Sequence, residues 1–413
     1  MHRTGPRVRG RLPPRCPPGV PHRVGTGDRS VTTPAHHLGT GQAGTLLRRA
    51  VLARSDSAWE AAHRTARVIS TQPATAHPDH ASLYRGAPAL AYALHTARHP
   101  AYRSALETLD KTVAGLVRVK LTAARERMTT GRPPRMREYD LINGLTGLGA
   151  YLLHRRTRPE LLEYVLRYIV RLLLQPVTVD GRAAPGWWTS DSPNGRPDQA
   201  WPYGHGNFGL AHGVAGPVAL LALCVRAGYR VPRQQQALVH ACRLLEQWSS
   251  SVSAGGTAWP ETITAERWHQ GPPPSTTPGR PSWCYGTPGI ARALQLAALA
   301  CDRPSGRRHA EHALAACLTD SSQLDSLGDA TVCHGWAGLA LVVATTAADA
   351  APGSPLPGQV PLLRDRLAAH VDQHPMTDTA GLLTGSDGVL LTLHTLTPAR
   401  PVAPTWTTCL LLN

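Results

Sequence analysis

Lysine is almost missing from this chain: of 43 basic residues, only Lys111 and Lys120 are lysine. Together with its wealth of Arg, Ala, Pro and Gly, that scarcity is the mark of a G+C-rich coding sequence, so the formal net charge of +16 says less about partners than it suggests. No basic helix, aromatic–basic interleaving or nucleic-acid motif accompanies the charge, which argues against nucleic-acid binding. Long apolar runs are missing too. No stretch reaches 18 apolar residues and none near the start has the h-region of a secretory signal, so neither a membrane span nor a signal peptide is expected, and a cytosolic protein is. In a reducing compartment a disulfide framework is not expected from eight cysteines. Cys224, Cys242, Cys301 and Cys317 fall within helical patterns as small apolar residues, and Cys16 and Cys409 lie near the termini. Cys284 and Cys333 are left over.

What is present is a repeated phrase ending in a Gly-x-x-Gly turn. It occurs as Trp283-Cys284-Tyr285-Gly286-Thr287-Pro288-Gly289, Val332-Cys333-His334-Gly335-Trp336-Ala337-Gly338, Asp140-Leu141-Ile142-Asn143-Gly144-Leu145-Thr146-Gly147, Leu210-Ala211-His212-Gly213-Val214-Ala215-Gly216 and Leu382-Leu383-Thr384-Gly385-Ser386-Asp387-Gly388. A sixth copy, Ser82-Leu83-Tyr84-Arg85-Gly86, lacks its second glycine, which puts the geometry of that turn in question. After each copy comes a nearly uncharged helical run, and before the next comes an amphipathic one, such as Leu161, Leu162, Val165, Leu166, Ile169, Val170, Leu172 and Leu173. The units are therefore helical hairpins with a buried and a half-buried partner. First glycines spaced 49 to 73 residues apart suit a closed ring better than an open solenoid of uniform repeats. The predicted fold is all-α, an α/α toroid of six to seven hairpins in two concentric rings, with the glycine turns gathered at one end.

Residues 1–40 carry seven prolines, +6 of the net charge and no apolar periodicity, so residues 1–44 are expected to form a disordered tail ahead of one domain over 45–413. Two long loop-like insertions hold Trp187, Trp188, Trp201 and Tyr203, then Trp259, Trp268 and Trp283. Such insertions either shape a binding site or plug the mouth of the ring.

Two thiols and an imidazole at equivalent points of two repeats could grip one zinc ion through Cys284, Cys333 and His334, leaving a fourth position free. The bland reading is two buried thiols.

This order of motifs, above all Trp-Cys-Tyr-Gly followed by Cys-His-Gly, resembles the lanthionine synthetase C-like cyclases over roughly residues 45–413, including the closing Trp406 and Leu410-Leu411-Leu412. The resemblance implies an α/α toroid with one catalytic Zn2+ per chain, in which cysteines of a ribosomal precursor peptide add to dehydroalanine or dehydrobutyrine and close thioether rings. Zinc would deprotonate the substrate thiol and hold it at the fourth position. The enolate then needs a proton at its α-carbon, a step that suits a near-neutral acid, with His212 as candidate. By resemblance Asp140 orients His212, and Arg280 and Tyr285 stand near the enolate. Simpler roles are a turn histidine for His212, a helix cap for Asp140 and a surface position for Arg280, with His205 structural or at the rim. No Ser/Thr dehydration or kinase-like domain is present, so a separate dehydratase partner is implied, in a biosynthetic complex that can sit at a membrane although this chain has no membrane segment. Two other classes compete. One is a non-catalytic zinc and thiol scaffold that holds glutathione or a peptide, which would need neither His212 nor Asp140; the other is a zinc prenyltransferase, whose ligand set includes a carboxylate that these cysteines lack.

Overall fold

The computed structural model describes residues 34–252, 256–275, 277–376, 378–397 and 405–413. Among them, seven helices that follow glycine turns form the inner ring: Gln42–Leu52, Ala87–Thr96, Leu145–Arg155, Ala215–Arg226, Thr287–Ala300, Trp336–Ala348 and Ser386–Thr395. Each packs on the next, and Ser386–Thr395 closes the circle against Gln42–Leu52. Outside them lie Asp56–Ser70, Arg103–Thr129, Pro159–Leu174, Gln234–Gln247, Pro304–Cys317 and Leu356–Gln373, each against its own inner helix. The chain is the expected α/α toroid.

Burial follows the two kinds of helical sequence. Every residue from Ala215 to Val225 is buried, whereas Leu356–Gln373 buries only Leu356, Leu363 and Leu367. At roughly 1.5–3 kcal/mol for each large apolar side chain taken from water, the inner ring carries much of the fold's hydrophobic stabilisation. Close approach of neighbouring units depends on the second glycine of the turns. A Cβ on Gly289 would stand 2.3 Å from the Trp283 carbonyl oxygen and 3.0 Å from Leu210 Cβ of the preceding unit, so any side chain there would push two inner helices apart. Ala89 occupies that place in the Gly86 copy and is fully buried, and the ring still closes around it.

Two findings differ from the sequence expectation and a third adds to it. First, residues 34–44 are part of the ring and not of the tail; the rest of that expected tail, with Cys16, lies outside the described residues. Leu38 is fully buried, its N–H donates to the Tyr84 carbonyl (3.0 Å), and Gly41-Gln42-Ala43-Gly44 is a seventh copy of the turn. Second, the insertions form short antiparallel ribbons, Val177–Val179 with Arg182–Ala184, Gly206–Asn207 with Thr262–Ile263, and Ser250–Ser251 with Thr257–Ala258. Of their tryptophans, Trp187, Trp188, Trp259 and Trp283 are buried packing residues, while Trp201 is half-buried and Tyr203 exposed. Third, the bore is filled by the chain itself. The segment Thr405–Leu410 and the three residues after it are held from opposite sides, by Tyr84 Oη donating to the Cys409 carbonyl (2.7 Å), Trp283 Nε1 to Leu410 (3.0 Å) and Arg292 Nε to Leu412 (3.1 Å). Trp406 and Leu410 to Leu412 are almost wholly buried there, so the two ends of the ring are separate environments.

Candidate metal centre and active site

The glycine turns meet at one end of the ring, tied by main-chain hydrogen bonds that pass from unit to unit. Leu141 N–H donates to Ala211, Ala211 to Cys284, Cys284 to Cys333, Cys333 to Leu383 and Leu383 to Gly39, over 2.8 to 3.3 Å. The backbones that carry the candidate ligands are thereby fixed before any ion binds.

On this frame the ligand atoms of Cys284, Cys333 and His334 all lie within 4.8 Å of one another. A hydrogen bond from the Cys333 thiol is the main influence that draws the Cys284 thiol down to about 6, against the effect of burial, and the same bond pushes Cys333 up. The two thiols are thus hydrogen-bonded to each other, an arrangement in which a soft cation can take the place of the proton between them. Asp329 Oδ2 stands 3.3 Å from His334 Nε2 and leaves Nδ1 as the nitrogen free to ligate. A carboxylate behind a ligating imidazole fixes its tautomer and raises its basicity. Gly335 makes this possible, since a Cβ there would stand 2.3 Å from both the carbonyl oxygen and Oδ1 of Asp329. Two thiols, an oriented imidazole and no fourth ligating group in the cluster among the described residues are a donor set that could hold a metal ion such as zinc with one position open.

His212 and Asp140 come together from different units. Nδ1 of His212 is 2.7 Å from Asp140 Oδ2, while Asp140 Oδ1 accepts the Asn143 N–H at 2.7 Å. Asp140 thus both shapes its turn and orients the histidine. Burial pulls His212 downward, but the hydrogen bond and charge of Asp140 and the charge of Cys284 outweigh it, so the imidazolium persists above the ordinary 6.5. One of the two lysines lies behind this pair: Lys120 Nζ donates to the Asn143 carbonyl at 3.2 Å. The Tyr285 ring is 6.3 Å from that of His212, and its hydroxyl oxygen accepts from Asn207 Nδ2 at 3.0 Å. Arg280 is exposed in its loop, with its charge in reach of Cys333 and of Glu261.

Asp329, Asn207 and Glu261 escaped sequence reading. Asp329 had a usable signal, an acid a few residues ahead of a Cys-His pair, whereas Asn207 and Glu261 reach the site through ribbon pairing that no local pattern announces. His205 is fully buried and not at the rim.

A family model described as lanthionine synthetase C-like protein matches residues 36–351. The nisin biosynthesis protein NisC of Lactococcus lactis subsp. lactis is 26% identical over 263 residues, which cover 62% of this chain and 60% of that relative's length. A solved structure titled nisin cyclase superposes with a TM-score of 0.73 at 21% identity, over 92% of this chain and 93% of its own, and supports the toroid. No helix among the described residues is long and apolar enough to cross a membrane. With most of the chain covered by the family model, and its turns, ligand cluster and ring in place, this protein belongs to the lanthionine synthetase C-like family.

Proposed function

We propose that this chain is a zinc-dependent cyclase of lanthipeptide precursors, acting in the cytoplasm on a peptide already dehydrated by a separate enzyme. Cys284, Cys333 and His334 would hold the ion, which would supply the Lewis acidity that lowers the pKa of a peptide cysteine, so that its proton leaves to solvent at neutral pH. The sulfur then forms a bond to the β-carbon of dehydroalanine or dehydrobutyrine, and the π electrons move onto the carbonyl as an enolate. His212 delivers its proton to the α-carbon, and Asp140 holds Nδ1 so that Nε2 is the donor. Tyr285 and Arg280 would stabilise the enolate charge as it develops. The product is an isomer of the substrate, with one thiol and one double bond fewer.

The observation that carries this reading is the union, at one end of the ring, of an open Cys-Cys-His cluster with a histidine oriented by a carboxylate that favours its charged form. A scaffold that only bound thiols would have no use for the second half. The test is incubation of zinc-loaded protein with a precursor peptide of verified dehydration, followed by alkylation of free thiols and mass spectrometry. Loss of alkylatable thiols without change in peptide mass is expected. Thiols that persist on a peptide that binds would overturn the cyclase and leave the scaffold.

A further inference from the structure

His205, Asn207 and Tyr285 form a chain of hydrogen bonds whose direction can be worked out atom by atom. His205 Nδ1 is 2.7 Å from the Asp191 carbonyl oxygen, which can only accept, so Nδ1 carries the proton and Nε2 is a lone pair. That residue is itself fixed, since Arg135 Nε and the Met136 N–H donate to its carboxylate at 2.8 and 3.0 Å. Asn207 Oδ1 is taken by the Gly209 N–H at 3.1 Å, so the amide cannot be turned round. Its Nδ2 therefore faces His205 Nε2 (3.3 Å), the Tyr285 hydroxyl (3.0 Å) and, more distantly, Met136 Sδ (3.8 Å). His205 and Asn207 are both wholly buried, where such a network has one arrangement and not several. Burial also keeps His205 neutral, drawing it down to about 4.

Because Tyr285 oxygen is an acceptor from Asn207, its own proton must point elsewhere. No described residue accepts it, and the half-buried ring lies beside His212 at the open side of the site. We infer that His205 and Asn207 are positioning residues that aim the Tyr285 hydroxyl proton into the site, to donate to the carbonyl oxygen that gains charge as sulfur adds. This rests on the proposed cyclase reading. It makes Tyr285 a hydrogen-bond donor and assigns the direction of that bond to a residue that never touches substrate.

The test is N207D. The aspartate keeps an acceptor for the Gly209 N–H, yet its other oxygen, whether ionised or with a proton given to His205, can only accept from Tyr285. The hydroxyl is then turned away from the site. Loss of one preorganised donor at a developing oxyanion costs about 10²-fold or more in kcat, so N207D and Y285F should each fall by roughly that factor with KM little changed. The double variant should be no slower than Y285F alone. A full multiplication of the two losses would overturn the inference, because a merely structural asparagine acts equally without Tyr285. A second readout needs no turnover. The Tyr285 C–O stretch, isolated as the isotope-edited infrared difference against Y285F in zinc-loaded protein, should move from the accepting to the donating position in N207D. A band that stays in place overturns the inference even in a protein that closes no rings, and a band that moves sustains the assigned direction there.

Discussion

The two ends of the ring use the same seven helices and treat polar side chains in opposite ways. At the C-terminal end of the inner helices the clustered side chains around Asp110 and Arg292 are saturated. His95 uses Nε2 on the His154 carbonyl and Nδ1 on Arg155, and Asp110 gives both oxygens to Arg155 and one also to Tyr151. Arg292 places its nitrogens on Leu412, Gln295 and Asp349. At the glycine-turn end each functional group is anchored at one atom and open at another. His334 is held at Nε2, His212 at Nδ1 and Tyr285 at its oxygen, while the remaining nitrogens and the hydroxyl proton have no partner among the described residues. Stability is built from saturated networks, and reactivity from half-saturated ones. A site can be recognised by that difference even where burial and charge are alike.

Substitutions that break the open end should therefore cost function and spare the fold, and those at the closed end the reverse. The largest effect is expected from C333A, which should remove about one equivalent of zinc and abolish ring closure, as read by metal analysis and thiol counting. Next is H212A, with kcat lowered about 10²–10⁴-fold and zinc content unchanged. Asp140 keeps His212 protonated to a higher pH than its ordinary 6.5, and that acid form is lost as pH rises. D140N lets burial prevail, so the alkaline limb of the kcat profile should move to lower pH. D329N keeps all three ligands but unties the imidazole, and a competition titration should show zinc affinity weaker by roughly 10–100-fold. The smallest effect on chemistry belongs to R292M at the closed end. It should lower unfolding free energy in denaturant by roughly 1–3 kcal/mol, since the buried Leu412 carbonyl loses its donors while Asp349 keeps Arg226, with kcat of the folded protein unchanged.

Much of this was legible in advance because the repeat is written in glycines and the ligands occupy equivalent places in two copies. Repetition converts a short motif into long-range geometry: once the units form a ring, Cys284 and Cys333 must meet. The Gly41 copy was obscured by the Arg- and Pro-rich composition just before it. The ribbons were invisible because strands of two or three residues are too short to show alternation. Asn207 depends on pairing between residues 206–207 and 262–263, and the plug at Thr405–Leu410 on a bore that exists only after closure. Tertiary structure alone supplies such contacts.

The central claim is an ion held by two sulfurs and one nitrogen with a place left for a substrate sulfur. X-ray absorption at the zinc edge, on loaded protein before and after addition of a cysteine-containing dehydrated peptide, tests it directly. The account predicts two sulfur neighbours rising to three, with the nitrogen retained. Four protein donors at the start, or a sulfur count that does not change on binding, would contradict it.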